Sequence, residues 1–221
     1  MNTLTGTLKV VAEDPIAAHL ENPLRKDAFD REDSVKIELI QKHFQEIMTI
    51  LGLDLSDDSL RGTPNRVANM YVKEIFRGLN PAHKPNITLF ENKFQYNEML
   101  IEKNIILYSY CEHHFVPITG KVHVAYISKR KVIGLSKINR LVQYYAQRPQ
   151  VQERLTNQIA AGLKEPLQTE DVAVIIDAVH LCVASRGIKV TYSSTITTNY
   201  SGQFLCDKRK TEFLSLMNTH T

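Results

Sequence analysis

The most chemically loaded stretch of this chain is Cys111-Glu112-His113-His114, where a thiol and an imidazole three residues apart can converge on one small cation. Thiolate and imidazole together suit zinc. A second cluster, His180-Leu181-Cys182, lies some seventy positions on. If it sits on a strand, residues i and i+2 point to one face and can supply the rest of a site. Cys111, His114 and Cys182 make a three-ligand set, with His113 and His180 close by as groups able to exchange protons near neutral pH. Two other readings stay open. One of the two extra histidines could complete a closed structural Cys2His2 site, or the cysteines could be ordinary small buried residues with solvated histidines beside them. Cys206, in the polar run Gly202-Gln-Phe-Leu-Cys-Asp-Lys-Arg-Lys210, receives no role.

A further group speaks to anions. Gly134-Leu-Ser136-Lys137-Ile-Asn-Arg140 places Ser136 at an expected helix start, where free N–H groups and the helix dipole favour phosphate. Lys137 adds charge, Arg140 follows one turn on, and Arg186 lies just beyond the Cys182 segment. The spacing is not that of a P-loop. The plainer reading is a helix cap with solvated neighbours. Gln152-Glu153, at another helix start, either stabilises its own first turn or offers a carboxylate to the N–H edge of a guanine or pterin ring.

The elements that must position these residues follow from periodicity. Residues 1–32 carry weak helical patterning (Leu8, Val11, Ile16, Leu20) broken by Pro15 and Pro23, then a charged linker. From Ser34, apolar residues recur at three- and four-residue steps through Ile37, Ile40, Phe44, Ile47, Met48 and Leu51, with Gly52 as a stop. Thr63 as N-cap and Pro64 at N1 begin another helix that runs to Gly78. Residues 99–110 and 121–127 alternate as an antiparallel hairpin joined by the titratable segment 111–120. Helices are expected from Ser136 to Arg148-Pro149 and from Val151 to about Gly162. A second hairpin pairs 171–183 with 189–199, Arg186-Gly187 lying in its turn, and Glu212–Met217 is a short helix. The rhythm is strand pair, helix pair, strand pair.

Composition narrows the class. The chain has 221 residues, 27 Lys+Arg against 24 Asp+Glu for a net charge of +3, 43% hydrophobic and 23% charged residues, three Cys and no Trp. That is globular material for one domain of roughly 150 residues with a terminal appendage. The slight charge argues against a nucleic-acid partner, and no apolar run approaches the roughly 18 residues of a membrane span. Acids and Pro15 where a signal peptide would be apolar, and three cysteines, an odd set too sparse for a disulfide framework, lead us to expect a cytoplasmic protein.

Taken together, Thr63-Pro-x-Arg66-Val-Ala, Cys111-Glu-His-His-Phe115, Val132-Ile-Gly-Leu-Ser-Lys-Ile-Asn-Arg140, Ala146-Gln-Arg-Pro-Gln-Val-Gln-Glu-Arg154 and Val179-His-x-Cys-Val-x-x-Arg-Gly187 resemble the GTP cyclohydrolase I family over about residues 34–205. The resemblance implies an α+β tunnelling fold, two antiparallel strand pairs with two helices between them, preceded by an N-terminal helical region. The expected division is residues 1–95 and 96–221. It also implies a toroidal homodecamer with active sites at subunit boundaries, and GTP, not nucleic acid or membrane, as the partner. The implied reaction opens GTP with water to give 7,8-dihydroneopterin triphosphate and formate, the entry to folate and pterin synthesis. By the same resemblance, Cys111, His114 and Cys182 hold catalytic zinc, His113 and His180 shuttle protons, and Gln152 and Glu153 hold the guanine edge. Ser136, Lys137, Arg140 and Arg186 meet the triphosphate, with Arg66 contributing. Asn69 departs from the pattern, since relatives often carry a Lys there. The competing classes are a related zinc enzyme acting on another purine or pterin, and a non-enzymatic zinc-stapled binding module. The H-x-E and P-C-x-x-C pair of zinc deaminases is missing.

Overall fold

The computed structural model describes residues 20–128 and 130–217. The weak helix expected around Leu8, Val11 and Ile16 lies outside the described residues. Residues 20–32 form turns rather than helix, as the charged linker suggested.

Helix α1 (Asp33–Ile50) ends as its pattern requires, with Gly52 at φ +82°, a left-handed position natural only to glycine. A one-turn helix not expected from sequence, α2 (Asp58–Arg61), is capped by the Asp57 carboxylate accepting from the Ser59 N–H at 2.9 Å. Helix α3 (Thr63–Met70) starts one residue earlier than expected, since Gly62 occupies the N-cap and Thr63 is already helical. The helix does not run evenly to Gly78. It widens into a π-turn at Tyr71–Ile75 and tightens into a 3-10 turn at Arg77–Leu79. The cause of the stop is close approach. The Gly78 N–H donates to the Gln147 carbonyl at 2.9 Å, and a Cβ there would stand 2.0 Å from the Tyr144 carbonyl oxygen.

Then come β1 (Leu89–Glu91), β2 (Leu100–Cys111), β3 (Pro117–Tyr126) and β4 (Lys131–Ile133). β2 and β3 form the expected hairpin, but β3 begins at Pro117, so the titratable connection shrinks to five residues, 112–116. Helix α4 (Leu135–Ala146), the short β5 (Pro149–Gln150) and helix α5 (Gln152–Leu167) follow. Gly162 does not stop α5. Its missing side chain makes room for the Tyr145 ring, which a Cβ would approach to 2.7 Å, and the helix closes at left-handed Gln168.

β6 (Val172–His180) ends one residue before a helical turn, α6 (Leu181–Ala184). His180 and Cys182 therefore do not share a strand face as expected. β7 (Thr195–Tyr200) is shorter than the run 189–199, because its register with β6 begins at Ala178–Thr195 and β6 offers no edge beyond His180. Helix α7 (Asp207–Met217) closes the described chain.

The strand order β5-β2-β3-β6-β7 joins both hairpins into one sheet. α4 and α5 cover one face, burying Leu107, Val122, Val124, Val174 and Ile176 against Ile138, Leu141, Leu155, Ile159 and Leu163. A second cluster, with Phe204 and Phe213 over Met99, Ile127 and Ile175, covers one end of the opposite face. Elsewhere on the strands Ile106, Tyr108 and Ile196 are exposed.

Candidate metal centre and its surroundings

The five-residue turn after β2 brings the first cluster together. The Cys111 N–H donates to Val116 O at 2.9 Å and the Phe115 N–H to Cys111 O at 2.8 Å, with Phe115 in the left-handed region at φ +52°. That strained backbone is held by its ring, which packs against Phe76 at 4.9 Å and Tyr71 at 6.2 Å. The widened π-turn thus supplies the wall behind the metal loop. From the other side, the Glu112 N–H donates to Gln150 O at 3.0 Å. The Glu112 carboxylate accepts from the Arg154 guanidinium, which also donates to Gln150 Oε1 at 3.1 Å and Pro149 O at 3.1 Å.

The helical turn α6 then carries Cys182 to this loop. One ligand atom from each of Cys111, His114 and Cys182 lies within 4.8 Å of the other two. Cys111 Sγ stands 3.8 Å from His114 Nδ1 and also 3.8 Å from His113 Nδ1. All three cysteines are free thiols, and Cys206 is exposed. Burial, and then the hydrogen bond and charge of neighbouring Cys111, push the Cys182 thiol up, while Arg186 pulls it down. Two thiols facing one another resist joint ionisation, and a cation between them removes that conflict. The donor set of two sulfurs and one imidazole fits a soft-to-borderline metal with a position left open.

The two extra histidines differ. His113 is exposed, its side chain 64% accessible, with Nε2 3.7 Å from Glu112 Oε1. His180 is half-buried and its Nε2 lies 2.7 Å from Gln152 Oε1. Burial lowers its affinity for a proton, partly offset by the charge of Glu153.

The remaining sequence candidates divide by place. Glu153 and Arg186 are exposed and close enough to act electrostatically on His180 and Cys182. Gln152 is only 2% exposed, and its amide is directed inward. Arg66 is committed to its own helix start, donating to Ser59 O at 3.0 Å and Thr63 Oγ1 at 2.8 Å, and Asn69 donates to Asn65 O.

Ser136, Lys137 and Arg140 lie elsewhere. α4 runs alongside β2 in the same direction: Asn139 donates to Glu102, Gln143 to Ile106 O, and Ser109 to Ala146 O. The start of α4 therefore stands by the start of β2, whereas Cys111 ends that strand. Ala146, whose carbonyl accepts from the Ser109 hydroxyl, lies ten helical residues beyond Ser136 and six beyond Arg140, so about 15 Å and about 9 Å of helix, plus two strand positions of about 7 Å, separate these residues from Cys111. Sequence reasoning missed Glu112 and Arg154 as the brace of the metal loop. A pair 42 residues apart leaves no periodic trace, and only the Arg154 match within a longer motif pointed to it.

These features define an α+β protein of tunnelling architecture with a Cys–His–Cys cluster that could hold a metal ion at one end of its sheet. A family model described as GTP cyclohydrolase I matches residues 40–218. The chain is 56% identical to a GTP cyclohydrolase 1 of Flavobacterium johnsoniae, over 97% of this chain and 96% of that protein. It is 51% identical to proteins of the same name from Citrobacter koseri and Escherichia coli O1:K1, over the whole of each chain. The chain belongs to the GTP cyclohydrolase I family.

Proposed function

We propose that the protein is a zinc-dependent GTP cyclohydrolase that converts GTP and water to 7,8-dihydroneopterin triphosphate and formate, the first step toward folates and pterins. The convergence of Cys111, His114 and Cys182 beside two further histidines carries this reading. Zinc held by the trio would supply Lewis acidity, bringing the pKa of water beside it toward neutrality. His113, exposed at its turn, and His180, held at a strand end, exchange protons with the purine ring during attack at carbon 8, ring opening and formate release. Glu153, at the first turn of α5, orients the guanine edge through its N–H donors. Arg186 meets the triphosphate from the same side as the metal, and Arg66 contributes from α3.

Ser136, Lys137 and Arg140 complete the phosphate clamp, but from a second copy. Within one chain they stand at the start of α4, away from the end of β2 that carries Cys111, and a neighbouring copy could bring the same residues up to the metal trio. This favours sites at subunit boundaries in a closed ring, with the homodecamer as the assembly. Exposed Ile188, Tyr192 and Ile196 near the β7 edge, and the exposed β2 residues Ile106 and Tyr108, are the surfaces such packing would cover. The division into a helical part (1–95) and a catalytic part (96–221) belongs to the same proposal, with β1 pairing to β4 across it. Among the described residues no helix is long and apolar enough to cross a membrane. Free thiols suit a reducing cytoplasm, and neither nucleic acid nor a membrane is needed as partner.

The test is direct. Zinc-loaded protein incubated with GTP should release formate and develop the ultraviolet absorption of a dihydropterin, and a chelator should abolish both. Absence of formate from fully loaded, assembled protein would refute the proposal.

A further inference from the structure

Gln152 opens α5, yet its side chain is buried and fully engaged. Its Nε2 lies 2.8 Å from Thr195 O, 3.2 Å from Ile176 O and 3.1 Å from Thr197 Oγ1. Its Oε1 lies 2.7 Å from His180 Nε2. Carbonyl oxygens can only accept, so the amide NH2 must face Thr195 and Ile176, and Oε1 must face the histidine. An amide oxygen also only accepts. His180 Nε2 must therefore carry a hydrogen.

The hydroxyls behind the amide obey the same counting. Thr156 Oγ1 donates its single hydrogen to Gln152 O at 2.8 Å, which leaves the 2.7 Å contact between Thr156 Oγ1 and Thr197 Oγ1 to be donated by Thr197. Thr197 Oγ1 can then accept from Gln152 Nε2 by sharing one of its two hydrogens with a carbonyl, since three acceptors surround that NH2. One direction of donation runs through Thr197, Thr156 and the Gln152 backbone, and it agrees with the amide orientation that the two carbonyls impose.

We infer that Gln152 is a positioning residue, not a guanine contact: with Thr197 and Thr156 behind it, it fixes neutral His180 as the Nε2–H tautomer and leaves Nδ1 without a hydrogen. Granted the acid–base role proposed above for His180, the chain thereby fixes ring orientation before substrate arrives. Guanine recognition falls to Glu153, whose side chain is exposed.

The tautomer is read without turnover. In protein labelled with 15N-histidine, with His180→Asn identifying the ring, the neutral His180 signal should show a protonated Nε2 and a bare Nδ1; a bare Nε2 would overturn the assignment. Gln152→Met should lower kcat on the order of 10²-fold, with the KM for GTP, metal content and oligomer size nearly unchanged. A selective rise in KM at unchanged kcat would instead make Gln152 a substrate contact. If Gln152→Met fails to fold, Thr197 decides: Thr197→Val should lower kcat several-fold and Thr197→Ser should restore it, while equal rates for Thr197→Val and wild type would sink the relay. Should the wild type release no formate, the functional proposal fails while the 15N spectrum still tests the tautomer.

Discussion

The two flanks of the metal trio are built on opposite plans. On one flank, His113 rides an exposed turn whose backbone is clamped by Val116, Gln150 and the Glu112–Arg154 pair, while its own ring stays largely exposed, with only long contacts to Cys111 and Glu112. On the other, the β6 end is followed by an exposed segment from Arg186 to Ser194, yet the His180 ring is held by a buried amide. A clamped backbone with an exposed ring faces a buried, hydrogen-bonded ring with exposed chain beyond it. Under the proton-carrying roles proposed above, the difference would suit a reaction with several proton transfers, the held ring keeping a fixed line to the purine and the exposed ring following it as geometry changes.

Removing what both flanks share should have the largest effect. Cys111→Ser or Cys182→Ser should lose the metal and essentially all formate production, at least 10³-fold, measured by elemental analysis and a formate assay. Next, His113→Ala and His180→Ala should each keep the metal and the assembly while losing about 10²- to 10⁴-fold in turnover. If either variant instead loses metal, the division between ligands and proton carriers is wrong. A smaller effect separates the flanks: Glu112→Gln or Arg154→Met unties the metal loop and should weaken metal affinity about 10- to 100-fold, read by competition with a chromophoric chelator, whereas changes at Thr197 should leave affinity untouched.

The smallest expected effect lies away from both flanks. His123, on β3, is held below its ordinary pKa by burial and by Lys121 and Lys103, with Asp177 partly opposing. Its folded pKa lies below its unfolded value, so the unfolded chain binds the extra proton first. Stability is full above the unfolded pKa near 6.5 and falls as pH drops through it toward the folded value. His123→Gln should flatten the fall in thermal midpoint between pH 7 and pH 5.5, by less than about 3 °C since the ring is only half-buried. An unchanged slope would rule out His123 as the source.

Much of this could be read from the chain. The long α1, the β2–β3 hairpin and the α4–α5 pair announce themselves through periods of 3.6 and 2, and the metal trio through residue type and motif. What was illegible is tertiary. Gly78 and Gly162 look like identical stop signals, but one ends a helix against a backbone carbonyl and the other lets a tyrosine ring into a helix that continues. The strand that should have carried both His180 and Cys182 bends because its partner ends. The inward direction of the Gln152 amide was equally illegible, because its motif says nothing about which way an amide faces; the two carbonyls it meets come from β6 and the residue opening β7.

The alignment of α4 beside β2 has a genetic consequence. If, as proposed, the clamp residues and the cysteines of one polypeptide serve different substrates, a lesion in Lys137 and a lesion in Cys182 would damage different halves of two neighbouring sites. Cells carrying both alleles on separate copies would assemble mixed rings in which some junctions pair the intact half of each, so two null alleles can complement one another, while a single allele with both lesions has no junction to lend.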